Sequence, residues 1–217
     1  RDITISEQFR PKNMNPQNSI IQLIKDIADK EILTSLFKND YSLMNGQMGC
    51  AIFFALLSRV IENHWYEDFA GELLNNICQN ITNKMSVDFA HGLCGIGWGI
   101  EFLKYWGFIE GDTDEILSEI DVAVMERDVR RINDASLETG LLGIHAYVTS
   151  RVNTTRVNSD FNPFDPTYIS ELHEAMARLS SSISILDMNS VWRSCVDSFD
   201  NKGGQTWQRG ISIIQQL

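Results

Sequence analysis

The sequence predicts an all-α chain, an α/α toroid (partial or complete) built from repeated helical hairpins whose inner helices start at Gly-x-x-Gly rims. Three observations carry this reading. Gly-x-x-Gly occurs at Gly46/Gly49, Gly92/Gly95 and Gly140/Gly143, with 46 and then 48 residues between successive first glycines. A period in the forties suits one helical hairpin per repeat. Each glycine pair leads into a stretch that is apolar nearly all round, whereas the segments between carry one apolar stripe. A helix of the first kind is buried on most sides and one of the second kind on a single side, so inner and outer helices alternate.

The elements follow in order. Ser19–Phe37 places Ile20, Leu23, Ile24, Ile27, Ile32, Leu33 and Leu36 at helical spacing. Leu43–Leu57 is the first inner segment. Phe69–Ile81 sets Leu73, Leu74, Ile77 and Ile81 on one face. Phe89–Leu103 is the second inner segment. Asp112-Thr-Asp-Glu115 puts acidic residues at the start of the next helix, where the positive end of its dipole favours them. Leu137–Val148 is the third inner segment, and Thr167–Ile183 is another amphipathic helix after the Asn162-Pro-Phe-Asp-Pro166 turn. Asp200–Gly204 is a turn signal, with Gly203-Gly204 the remnant of a later rim, and Trp207–Leu217 is a short amphipathic segment. All 217 residues are read as one domain. The glycines are expected at one end of the ring, with positive φ and close backbone approach. The bare N–H groups of the helix starts would then face a shared mouth suited to an anionic or carbonyl-bearing ligand. The alternative is that the glycines only permit tight packing.

Composition narrows the function classes. Eighteen basic against 29 acidic residues give a net charge of −11, which disfavours nonspecific nucleic-acid binding and a polybasic membrane anchor. No apolar run approaches membrane-spanning length. Cys50, Cys78, Cys94 and Cys195 show no paired spacing, so a reducing cytoplasm is the expected location. No Walker loop, dinucleotide fingerprint, His-Glu-x-x-His or Gly-x-Ser-x-Gly motif is present.

The repeats resemble the LanC-like (lanthionine synthetase C-like) family over roughly Ser19–Val152. Phe89-Ala-His-Gly-Leu-Cys-Gly-Ile-Gly-Trp-Gly-Ile-Glu-Phe-Leu103 carries the likeness best. Gly107-Phe-Ile-Glu and Asp114-Glu-Ile-Leu are similar to members attached to bacterial peptide-maturation clusters. The resemblance implies an α/α toroid with zinc at its mouth, where a peptide cysteine bound as zinc thiolate adds to a dehydrated Ser or Thr to close a thioether. It implies as partner a ribosomally made precursor peptide or a peptide-modifying enzyme, with no nucleic acid. The chain departs from that pattern. Family cyclases take zinc ligands from Trp-Cys-x-Gly and from Cys-His-Gly. Here Trp192-Arg-Ser-Cys195 is not the first, and Ala90-His91-Gly92 lacks the cysteine of the second. Met44-Asn45 and Glu138-Thr139 hold the corresponding pairs in the other repeats. Ala90-His91-Gly92 instead matches the family's separate catalytic His. A full ring needs six or seven hairpins. At about 47 residues each, 217 residues supply four to five, so the ring is open, compressed near its C-terminus, or completed by another chain as an oligomer.

The candidate residues follow. His91, beside a helix start, is the candidate proton donor or acceptor, with Asp88 orienting it. His91, Cys94 and Cys50 are a candidate zinc set of the mixed N/S kind. The alternative is buried, inert thiols. Gly46, Gly49, Gly92, Gly95, Gly140, Gly143, Trp98 and His145 are candidates for substrate binding, Trp98 and His145 having core packing as their alternative. His64 and His173 read as surface residues. Three functions stay open: a thioether cyclase, a non-catalytic peptide-binding or scaffold toroid that partners a modifying enzyme, and a glycan-processing toroid using Asp88 with Glu138 as its carboxylate pair.

Overall fold

The computed structural model describes residues 16–154, 161–179, 187–200 and 206–217. Among these residues every regular element is helical. α1 (Pro16–Thr34) runs into a short 3-10 turn, Ser35–Phe37. Then come α2 (Gln47–Ile61), α3 (His64–Asn80), α4 (Leu93–Tyr105), α5 (Asp114–Met125), α6 (Leu141–Asn153), α7 (Pro166–Leu179), α8 (Met188–Asp200) and α9 (Trp207–Ile214). No described helix is long and apolar enough to cross a membrane.

The inner and outer classes separate as the patterning demands. Every residue of α4 from Leu93 to Leu103 is buried, and α2 is buried from Gln47 to Ala55. In α3, by contrast, only Tyr66, Phe69, Ala70, Leu73 and Ile77 are buried, spaced as one stripe. α2 packs against α3, α4 and α9, and α4 packs against α5 and α6. The inner arc therefore runs α9, α2, α4, α6, out of chain order, within an α/α toroid. α8 packs against both α6 and α9 and bridges the two ends of that arc. Its Val191, Trp192, Cys195 and Phe199 form the buried stripe that does so.

Helix ends differ from the sequence expectation in traceable ways. α3 begins at His64 rather than near Phe69, because the Asn63 side chain accepts from the Trp65 N–H and caps the helix there. α1 stops at Thr34, and the last expected turn tightens to 3-10 geometry. α7 ends at Leu179; the rest of the expected segment to Ile183, and Gly203-Gly204, lie outside the described residues. α4 closes on Gly107 at φ +71°, with Phe108 N–H bonded to Leu103 O at 2.9 Å and Gly107 N–H to Lys104 O at 2.9 Å. That Schellman geometry requires the left-handed region and hence glycine.

Candidate functional site at the glycine rim

Three loops enter the inner helices with one shared geometry. Gly46, Gly92 and Gly140 are the N-caps, at φ −109°, −127° and −106° with ψ near −160°. The N–H just after each glycine is bonded to the carbonyl seven residues before it: Gln47 to Asp40, Leu93 to Ser86 and Leu141 to Asp134, each at 2.8 Å. The expectation of positive φ is therefore corrected, since all three caps lie in the extended region. The glycines serve close approach instead. A Cβ would lie 2.4 Å from Asp40 O at Gly46, 2.1 Å from Ser86 O at Gly92 and 2.4 Å from Asp134 O at Gly140. The second glycine of each pair meets the carbonyl six residues back: Gly49 at 2.3 Å from Leu43 O, Gly95 at 1.9 Å from Phe89 O and Gly143 at 2.4 Å from Leu137 O. All six glycines are buried. Their observed role is to fold each loop onto its helix, and the first N–H of each helix is satisfied internally rather than offered to a mouth.

The loops then bond to one another. Met44 N–H donates to Ala90 O at 3.1 Å, and Phe89 and Ala90 N–H donate to Glu138 O at 3.1 and 2.8 Å. The fourth member is the start of α9. Gln208 Nε2 donates to Met44 O at 2.8 Å and lies 3.5 Å from Asn45 Oδ1. A continuous hydrogen-bonded rim thus links α9, α2, α4 and α6.

His91 stands on this rim, exposed. Asn45 Nδ2 lies 3.3 Å from its Nδ1. The Met44 carbonyl can only accept, so it fixes Gln208 Nε2 as donor. Gln208 then makes Asn45 Oδ1 the acceptor and Asn45 Nδ2 the donor to His91 Nδ1. This relay assigns the neutral imidazole its proton on Nε2, the nitrogen left for a ligand. Asp88 does not orient the ring as expected. Its Oδ1 accepts the His91 backbone N–H at 2.6 Å and its Oδ2 the Ser86 hydroxyl at 2.5 Å, so it fixes the loop under the imidazole.

The other candidates lie elsewhere. Trp98 is fully buried, between Phe89 and Phe102 at ring separations of 5.5 and 5.2 Å. His145 is buried on α6, 5.9 Å from the exposed ring of His173 on α7, and burial first, then the neighbouring His173, pull its pKa down. His64 is exposed, as expected.

Cys50 and Cys94 are both fully buried. Burial is the main cause raising the Cys94 thiol, with Asp88 and Asp121 adding to it, and burial then Glu31 raise Cys50. Zinc takes thiolate, not thiol. Among the described residues no three His, Cys, Asp or Glu side chains are placed to hold a metal ion, so His91, Cys94 and Cys50 do not converge. Cys50→Ala and Cys94→Ala are each expected to cost about 1–2 kcal/mol of packing. Urea denaturation, with zinc measured on the same samples, should show lower stability and an unchanged metal content.

Gln208 was not singled out by sequence reasoning. Trp207-Gln208-Arg209-Gly210 has the spacing of Trp-Cys-x-Gly, with Gln208 at the cysteine position, and it opens an inner helix at the rim. Trp192–Cys195, the segment compared with that motif above, lies within α8. The missed signal was Trp207 followed three residues later by Gly210. Gly210 faces Phe53, whose ring lies 2.4 Å from where a Cβ would stand.

Comparison with curated protein sequences gives no match. The model of the family described as lanthionine synthetase C-like protein matches residues 38–202, about three quarters of the chain. The match takes in all three glycine rims and stops short of α9, whose place in the ring comes from the tertiary structure. The chain belongs to the lanthionine synthetase C-like family.

Proposed function

We propose that this protein holds a ribosomally made precursor peptide against the His91–Asn45–Gln208 rim during lanthipeptide-type maturation, as a peptide-binding partner of a modifying enzyme. One observation carries the reading. The position that holds a zinc-binding cysteine in Trp-Cys-x-Gly is Gln208, whose amide is committed to the relay that orients His91. The donor set of the rim is thus amide and imidazole, which suits the carbonyl and N–H groups of a peptide. It does not fit zinc, and no step here runs through a metal.

A second reading, thioether closure by this chain, draws on His91 itself. An exposed Nε2–H could donate a hydrogen bond to the peptide carbonyl oxygen that gains charge as a cysteine thiolate bonds to the β-carbon of a dehydrated residue and the C=C π pair moves towards the α-carbon and carbonyl. Water takes the thiol proton and returns one to the α-carbon, so His91 keeps its own.

The test uses a model peptide with one dehydroalanine and one cysteine. Saturable binding is expected by calorimetry, weakened about tenfold or more by His91→Ala and by Gln208→Ala, each of which removes rim hydrogen-bonding groups. Thiol alkylation followed by mass spectrometry reports ring closure. Binding with the thiol still alkylatable supports the peptide-holding role. Loss of alkylation that depends on His91 supports closure instead. Absence of binding overturns both.

A further inference from the structure

The end of the molecule opposite the glycine rim carries a second concavity. The last turns of α2, α4 and α9 and the first half of α8 enclose a cleft of about 480 Å³. Its floor is aromatic. The rings of Trp106 and Phe102 stand 6.2 Å apart, and those of Phe102 and Trp192 stand 4.6 Å apart. Trp106 is 42% exposed and Val60 38%, so the edge of this floor is open to solvent among the described residues, with Phe102 and Trp192 buried behind it.

The charge of the cleft runs against that of the protein. The chain carries −11 overall, yet the two ionisable residues lining the cleft are Arg59 and Arg193. Arg59 lies 3.7 Å from the Phe108 ring centroid and donates to the Trp106 carbonyl at 2.5 Å, a neutral acceptor. Arg193 is exposed and makes no ion pair or hydrogen bond among the described residues. Asp187, its carboxyl held low first by the Ser190 N–H, senses the charge of Arg193 without pairing with it. Arg59 and Arg193, with no carboxylate at ion-pair distance among the described residues, flank the exposed Trp106 and form a complementary face for a group that is both anionic and apolar.

We propose that this cleft docks an acidic, hydrophobic linear peptide segment. A large apolar side chain would lie on the Trp106–Phe102–Trp192 floor, and an adjacent carboxylate would meet the guanidinium groups of Arg193 and Arg59. The site is separate from the His91 rim, so the proposal stands or falls independently of the function proposed above.

The probe is the blocked peptide acetyl-Leu-Asp-Phe-Asp-amide, compared with the same peptide carrying Asn for Asp. The readout is the indole N–H resonances of Trp106 and Trp192 in the full chain, assigned with Trp106→Phe and Trp192→Phe. A saturable shift confined to these two indoles is expected. The Asn peptide and the Arg193→Gln protein should each bind about three- to tenfold more weakly, and Arg193→Lys should recover part of the loss. His91→Ala should bind as wild type. Arg193 is exposed, so its substitution leaves the fold intact and a null result stays interpretable. Equal affinity for the two peptides, an unchanged Arg193→Gln, or the absence of a saturable shift overturns the proposal.

Discussion

Gly95→Ala is expected to cost about 3 kcal/mol or more, enough to leave much of the chain unfolded under mild conditions. The reason lies in what the new methyl would strike. It would stand 1.9 Å from the Phe89 carbonyl oxygen and 3.0 Å from Leu43 Cβ. A flexible side chain could move aside, but this loop cannot. Phe89 and Ala90 N–H are both bonded to Glu138 O, Ala90 O accepts from Met44, and the Leu93 N–H is held by Ser86 O. Moving the Phe89 carbonyl means pulling on three rims at once. Gly71→Ala is the matched control. Gly71 lies inside α3 with nothing within 4 Å of its would-be Cβ. Relieving the entropy cost of a helical glycine there should stabilise the protein by about 0.4–1 kcal/mol. Urea denaturation of the two variants against wild type decides the matter. A tolerated Gly95→Ala would mean the rim is not the rigid element described here.

The second large effect belongs to Arg151, which sequence reasoning did not single out. Its side chain is fully buried between α4, α5 and α6. It reaches Glu101 at 3.0 Å, Asp114 at 2.9 Å and Asp121 at 2.6 Å. The Tyr147 hydroxyl also donates to Asp121 at 2.6 Å, Thr113 donates to Glu101 at 2.9 Å, and Thr154 donates to the other Glu101 oxygen. Arg151→Met keeps the length of the stem and removes the charge, leaving carboxylates in a low-dielectric site without their cation. The expected loss is about 3–5 kcal/mol. Arg151→Lys keeps the charge but not the planar fork and should fall between the two.

The pH dependence carries the sign that identifies the cause. Burial raises the Asp121 pKa in the native protein, with the Arg151 and Tyr147 hydrogen bonds opposing it. A carboxyl with a raised native pKa binds more protons folded than unfolded. Its favourable contribution is complete below the unfolded value, near 3.8, and is lost as pH rises through the native value. Without Arg151 the raising effect of burial at Asp121 is opposed by the Tyr147 hydrogen bond alone. The deficit of Arg151→Met should therefore be larger at pH 8 than at pH 5. A deficit independent of pH would assign Arg151 a packing role only.

The repeat was legible because it is local. Each Gly-x-x-Gly answers to a carbonyl six residues back in the same loop, so the constraint is written within a dozen residues and recurs with the hairpin. Inner and outer helices were legible for the same reason, since burial on all sides or on one leaves its mark on consecutive residues. The acidic start of α5 at Asp114-Glu115 is another local signal that the structure repeats. What remained hidden depends on long-range partners. Asp88 looked placed to orient an imidazole, but the fold turns its carboxylate onto the backbone of the residue three positions on. Cys50 and Cys94 looked like rim ligands, but the close packing the glycines permit also encloses the residues beside them. Gln208 meets Met44 across 164 positions, and Arg151 meets Glu101 across 50. The sequence alone determined the hairpin repeat, because backbone sterics and helical periodicity act between near neighbours. Only the tertiary structure decided which side chains share the rim and the buried charge cluster, because ring closure places α9 beside α2 and no local pattern records that meeting.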